Sequence, residues 1–345
     1  MGEKDFDFLC LGRIEFAKAL GFKTLIESNG LEAIVENQIQ TLEDVENLKK
    51  RRYFNYDYFK KELEYFKKKK EKMTQPLGGG CFGPLTIASS IIGISQANKM
   101  VIKNPIILKE LTSYINEFMI EFAIEEEKLG ADFFWIAEPV ASLFSPKLFN
   151  EFSGDFLKKI FDSIEIPGFL HVCGKTIKHT EYMVKTGAQV LSIDYVTDIV
   201  ENIRIIPEDV VIMGNINPIT LYKGSREEVA DEVNKLNYEL RNYKNFIMST
   251  GCLIPSKTSI ENVNLLVDLT RNYELVSNKD FREIRKLMDL SLNGFKLDLI
   301  EYIEGNKVRN YCINEAIKET ELMLGNNDEK YENILDCINV LKSTL

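Results

Sequence analysis

Between about residues 75 and 255 one event recurs along the chain: a short apolar run rich in β-branched or aromatic residues, a Gly, Pro or polar cluster, then an amphipathic stretch. The runs are Gln75–Gly80, Asp132–Ala137, Gly168–Cys173, Gln189–Asp194, Asp209–Gly214 and Asn245–Thr250. Strands that alternate with helices pair in parallel, because each helical crossover returns the chain to the same end of the sheet, and both faces are then covered. Nearly every run ends in groups able to do chemistry: Glu138-Pro139, His171 and Cys173, Asp194-Tyr195, Asn215, and Cys252. In a (β/α)8 barrel of the TIM type the C-terminal strand ends meet at one mouth, so these groups would converge. A doubly wound open sheet is the alternative, and it too places ligands beyond the strand ends. Ser225 with Glu228, and Thr258 with Glu261, read as capping boxes at the heads of two helices.

The flanks break the repeat. Residues 1–74 carry a strand at Asp5–Leu11, an excursion at Thr24–Asn37, and a helix from about Leu42 through the lysine-rich FKKELEYFKKKKEKM. Residues 278–345 read as helices only, with Ile284, Leu287, Met288, Phe295, Leu299 and Ile303 at helical spacing and breaks near Gly305 and Gly325. The expected organisation is an α/β barrel domain over 1–277, followed by a C-terminal helical appendix over 278–345.

Composition narrows the partners. With 43 basic and 53 acidic side chains the formal charge is −10, so the surface repels nucleic acid and anionic membranes. The first thirty residues lack the apolar core and cleavage site of a signal peptide, and no run is long enough to span a bilayer. A cytoplasmic protein is expected. Its six cysteines are too scattered for a disulfide framework and should remain thiols. Cys10, Cys81, Cys312 and Cys337 read as small buried apolar residues.

His171-Val172-Cys173 is the sharpest local feature. The chain has 2 histidines, and strand alternation points this one and Cys173 to the same side at a strand end. Neutral imidazole and thiolate are preferred zinc ligands, and a catalytic zinc takes three protein ligands while keeping one position open. Cys252, just after the run FIMSTG, is the natural third. Against this stands the reading that His171 is a satisfied core histidine and the cysteines are packing residues. H-x-C is a weak motif by itself, and on pattern alone the two readings stand level.

The segments LHVCG, GNINP and STGCLIP, together with CFGPLTIASSIIG and GADFFWIAEPVASLFSPKLFNEF, resemble the uroporphyrinogen decarboxylase superfamily, in particular its zinc-containing branch of methylcobamide:thiol methyltransferases. The resemblance covers roughly residues 15–270. It implies a (β/α)8 barrel with zinc on His171, Cys173 and Cys252, activating a small thiol such as coenzyme M or homocysteine to take a methyl group from a methylcobamide. No D-x-H-x-x-G corrinoid motif occurs, so a separate corrinoid protein is the expected partner. Asp194 is expected to fill the fourth zinc position or to hydrogen-bond to a ligand, with capping of the following loop as the plain alternative. Glu138 would line the pocket or orient His171, or else cap the next helix. Asn215 and Asn217 would offer amide donors to the substrate or serve only their turn. Gly78-Gly79-Gly80 lets a backbone approach closely but lacks the phosphate-loop Lys and Ser/Thr. Lys67–Lys70 reads as a solvated helix face or a docking patch, and His179 as a helix-surface residue.

The sequence departs from that family at its start. Six clean strands and one weaker one fall short of eight, and the readable pattern has no counterpart of the family's first strand. In LCLGRIEFAKALG, Gly12 falls about where decarboxylases carry their acid, which disfavours decarboxylation. A barrel lacking a strand leaves an edge for the helical tail or a second chain to cover; the second alternative is a homo-oligomer. Two further readings stay open: a metal-free tetrapyrrole decarboxylase with a basic pocket, and a non-catalytic barrel that binds a corrinoid or a protein with zinc in a structural role.

Overall fold

Each of the six apolar runs is a strand in the computed structural model, which describes residues 6–28, 30–51 and 55–271. In chain order the strands are β1 (Asp7–Phe8), β2 (Thr24–Ile26), β3 (Glu32–Ile34), β4 (Leu77–Phe82), β5 (Phe134–Ala137), β6 (Gly168–Val172), β7 (Val190–Ile193), β8 (Val211–Ile216) and β9 (Phe246–Thr250). Seven of them form one parallel sheet in the order β1-β4-β5-β6-β7-β8-β9. A doubly wound sheet reverses its strand order at a switch point. Here the order never reverses, so the sheet is wound as a barrel. Among the described residues β1 and β9 are its two edges and no further strand joins them, which makes the barrel incomplete. β1 is only two residues long, prolonged by an isolated bridge between Leu11 and Cys81.

Alternation sorts the two faces of this sheet. Phe134, Ile136, Leu170, Val172, Leu191, Ile193 and Ile212 point one way, and all are fully buried, as expected of strands under helices. The opposite face grades along its length. At the N-terminal level Phe133, Trp135, Phe169, Val190 and Met213 pack with Phe6, Phe8 and Val211 into one apolar cluster. Phe8 stacks on Trp135 with ring centroids 4.6 Å apart. Two residues further on, the same faces of β6, β7 and β8 carry His171, Ser192 and Asn215. The aromatic layer is therefore the floor on which a polar layer rests.

The triple glycine of β4 is a packing device. A side chain on Gly78 would overlap the Phe133 ring, one on Gly79 the Glu126 carboxylate, and one on Gly80 the Trp135 carbonyl. The long helix Pro105–Lys128, which carries Glu126, closes on the sheet at Gly79 because that position has no side chain.

The N-terminal flank differs in detail from the sequence reading. The excursion is an antiparallel hairpin of β2 and β3. The single helix expected from Leu42 is two, Leu42–Arg51 and Tyr56–Lys70, and the Asn55 side chain starts the second by accepting from the Asp57 N–H at 3.1 Å. Lys67 and Lys68 are exposed, whereas Lys69 pairs with Asp7 at 2.9 Å and Lys70 pairs with Asp132. Cys81 is buried as expected; Cys10 is exposed. His179 is no surface residue. It is buried, its Nε2 donates to the Phe144 carbonyl at 2.8 Å, and its ring meets Phe149 edge-on.

A second compact unit takes in, among the described residues, 219–242 and 254–271. Its helices Arg226–Leu240 and Ile260–Arg271 are tied by Asn237 Nδ2 donating to the Leu269 carbonyl at 3.3 Å. The Ser225–Glu228 capping box is present. At the second helix the cap is Ser259, which accepts from the Asn262 N–H at 3.3 Å, while the Thr258 hydroxyl donates to the Pro255 carbonyl at 2.7 Å. The helical appendix expected over 278–345, with Cys312 and Cys337, lies outside the described residues. No single helix among the described residues is long and apolar enough to cross a membrane.

Candidate metal centre

Three strand ends bring four ligand atoms together. The ring nitrogens of His171, the sulfurs of Cys173 and Cys252, and a carboxylate oxygen of Asp194 offer one ligand atom each, all within 4.8 Å of one another. Cys173 Sγ stands 3.3 Å from His171 Nε2. A tetrahedral zinc with the usual bond lengths separates a nitrogen and a sulfur ligand by about 3.5 Å, so the donor set fits zinc both in chemistry and in spacing. His171 and Asp194 are buried at 7% and 5% exposure, while the two cysteines are half-buried. The cluster is thus closed below and open above.

Each ligand is oriented by its surroundings. The Nδ1 of His171 lies 3.1 Å from the Ser192 hydroxyl and 3.2 Å from the Ser192 carbonyl, the residue paired with it in register across β6 and β7. Trp135 lies beneath the imidazole, with ring centroids 6.3 Å apart and planes 25° from parallel. Asp194 accepts from the Gly174 N–H at 2.7 Å through Oδ2 and from the Val196 N–H at 3.1 Å through Oδ1. Gly174 has φ 85°, a left-handed conformation that glycine adopts without penalty. The Cys252 carbonyl accepts from the Thr250 hydroxyl at 2.8 Å, which closes the turn after β9.

The thiols polarise one another. A hydrogen bond from Cys173, and the neighbouring His171 ring, draw the Cys252 thiol below its ordinary range. The same bond to Cys252, together with burial, pushes the Cys173 thiol up.

Of the residues singled out in the sequence, His171, Cys173, Asp194 and Cys252 are brought together, and Glu138 and Asn215 are not. Glu138 is fully buried and its carboxylate is spent on the helix Pro84–Ile92: it accepts from the Leu85 N–H at 3.2 Å, the Thr86 N–H at 2.7 Å, the Thr86 hydroxyl, and the Ser153 hydroxyl at 3.0 Å. Burial nonetheless holds its pKa up at about 7, against these hydrogen bonds. Asn215 donates through Nδ2 to the Asp194 carbonyl at 3.2 Å and the Thr197 carbonyl at 2.7 Å, so it braces the loop that carries Asp194. Sequence reasoning does not reach Ser192. Its only local signal is its place two residues before Asp194, on the same strand face; its partnership with His171 depends on register.

Residues 14–273 match the family model described as uroporphyrinogen decarboxylase (URO-D). The chain is 31% identical over 217 residues to the methylcobamide:CoM methyltransferase MtaA of Methanosarcina barkeri, an alignment covering 61% of this chain and 63% of that protein. It is 28% identical over 249 residues to a uroporphyrinogen decarboxylase of Prochlorococcus marinus, covering 69% of this chain and 70% of that one. Among solved structures, a methyltransferase from Methanosarcina mazei matches with a TM-score of 0.64 at 25% identity, over 75% of this chain and 77% of that chain. The chain thus spans just under two thirds of the length of MtaA.

Proposed function

The chain belongs to the uroporphyrinogen decarboxylase family, and from that membership we propose that it holds zinc through His171, Cys173 and Cys252 and moves a methyl group from a methylated corrinoid to a small thiol. The observation that carries the reading is the convergence of one imidazole, two thiols and one carboxylate within 4.8 Å at the ends of β6, β7 and β9. The likeness to a methylcobamide:CoM methyltransferase supports it. In the reaction a sulfur–carbon bond forms as the cobalt–carbon bond breaks, and the electron pair stays on cobalt. Zinc, when bound, supplies the Lewis acidity that turns an incoming thiol, with an ordinary pKa of about 8.5, into a thiolate near neutral pH.

The chain's own residues set the terms of that chemistry. Cys173 and Cys252 would bind as thiolates, and their two negative charges would offset the two positive charges of the ion, so that an acceptor sulfur would keep its electron density. Asp194, anchored by two backbone N–H groups, stands where it would hold the fourth position of the ion. The aromatic floor of Trp135 and Phe169 closes the site from below, so thiol and corrinoid both arrive from the mouth. Leu143, Tyr195, Val196 and Leu253 are exposed apolar residues on the loops after β5, β7 and β9, a surface suited to the separate corrinoid protein. On the polar face of β5 to β9 no Lys or Arg occurs, which weighs against a decarboxylase acting on a polyanionic tetrapyrrole.

Metal analysis of the purified chain tests the first half: about one zinc per chain is expected, lost in Cys173→Ala and Cys252→Ala. Mixing methylcobalamin with coenzyme M or homocysteine and following cobalt(I) optically tests the second. Absence of zinc overturns the whole reading, whereas zinc without turnover on any thiol leaves a binding barrel.

A further inference from the structure

We propose that Ser192 is a positioning residue that fixes His171 in a single tautomer, with the proton on Nδ1 and Nε2 left free to face Cys173, Asp194 and Cys252. The inference rests on the functional reading above for its purpose, though not for its geometry. His171 Nδ1 faces two atoms of one residue, the Ser192 hydroxyl at 3.1 Å and the Ser192 carbonyl at 3.2 Å. A carbonyl only accepts. Were the proton on Nε2, the Nδ1 lone pair would face the carbonyl lone pairs in a buried site, where unpaired polar contacts are costly. With the proton on Nδ1, both Ser192 atoms receive it. The opposite nitrogen then presents its lone pair to Cys173 Sγ, 3.3 Å away.

The placement is a consequence of sheet register. His171 and Ser192 are partners in β6 and β7, so their side chains leave the sheet side by side and on the same face. Ser192 is 2% exposed, so water does not compete for the imidazole. Trp135 stacks under the ring and restricts its rotation. A metal-binding histidine whose other nitrogen is tied in this way keeps its orientation and basicity, and loss of such a partner typically costs 10–100-fold in metal affinity. Because the Ser192 carbonyl survives substitution, the lower end of that range, about tenfold, is expected for Ser192→Ala.

The chain has 2 histidines, so nitrogen-15 NMR of histidine-labelled protein resolves both rings. The metal-free protein is expected to show His171 as the Nδ1–H tautomer, and Ser192→Ala, which keeps the carbonyl, to retain that tautomer while losing one of its two acceptors. Zinc affinity, measured by chelator competition, is expected to fall about tenfold in Ser192→Ala and to recover in Ser192→Thr, which restores the hydroxyl. Thermal unfolding of the metal-free variants separates loss of fold from loss of orientation. An Nε2–H tautomer in the unsubstituted protein overturns the proposal, and so does a folded Ser192→Ala with zinc affinity unchanged. Failure of the wild-type chain to bind zinc while His171 keeps the Nδ1–H form would overturn the methyl-transfer reading and uphold this one.

Discussion

The carboxylate of Glu126 occupies the space where a side chain on Gly79 would begin. Glu126 is 2% exposed; it accepts from the Gly80 N–H, and among the described residues its Oε2 has no hydrogen-bond partner. Burial, reinforced by the charge of Glu62, pushes its pKa well above the usual carboxylate range, against the pull of the Gly80 N–H. The folded chain thus binds a proton that the unfolded chain releases at an ordinary carboxylate pKa. Stability from this group is full below that ordinary value and is lost as pH rises toward the folded one. Glu126→Gln is expected to flatten the fall in stability on the alkaline side and to raise the thermal midpoint at pH 8, measured by calorimetry from pH 5 to 8. A variant that keeps the wild-type slope would refute this. Gly79→Ala is expected to destabilise by about 1–3 kcal/mol through overpacking.

Glu138 tests the difference between a catalytic and a supporting acid. Removing its side chain strips the Leu85 and Thr86 N–H groups and two hydroxyls of their acceptor, so Glu138→Ala is expected to cost about 3 kcal/mol. With a folded pKa of about 7, its contribution is present at mildly acidic pH and fades as pH climbs through neutrality. Glu138→Gln should retain zinc and methyl transfer. Denaturant unfolding and zinc content together decide; a Gln variant that folds and binds zinc but does not turn over would make Glu138 catalytic after all.

Asn215 holds the Asp194 loop through two donated hydrogen bonds. Asn215→Asp removes both donors at nearly constant size, and a loss of about 1–3 kcal/mol in stability is expected. Zinc affinity should weaken with it because Asp194 loses its brace. Equal weakening by chelator titration in Asn215→Asp and Asn215→Ala supports the bracing role; unaltered affinity in both argues against it.

Zinc binding should stabilise the chain by mass action. At a free concentration a thousandfold above the dissociation constant the gain is about 4 kcal/mol, visible as a rise in thermal midpoint that chelation reverses. Below about pH 5 competition by protons for the thiolates should erase the effect. A midpoint indifferent to zinc at pH 7.5 would contradict the site.

The aromatic and aliphatic strand cores, their alternation with helices and the clustering of reactive groups at their C-terminal ends were all legible in the sequence, because periodicity and turn chemistry act over a few residues. The same locality let His171, Cys173, Asp194 and Cys252 be picked out as strand-end groups. It misplaced what depends on distant neighbours. His179 looks like a surface residue until Phe144 and Phe149 cover it, and Glu138 looks like a pocket acid until the N-terminus of the helix Pro84–Ile92 takes its carboxylate.

What the sequence by itself determined, then, is a parallel β/α chain with soft ligands and an acid at its strand ends. Only the tertiary structure decided that the strands run in unbroken order, that β1 and β9 remain edges among the described residues, and that Ser192 stands beside His171. The physical reason is register. Alternation states which residues share a face, but only the pairing of β6 with β7 sets which of them touch, and only the curl of the sheet brings Cys252 to Cys173.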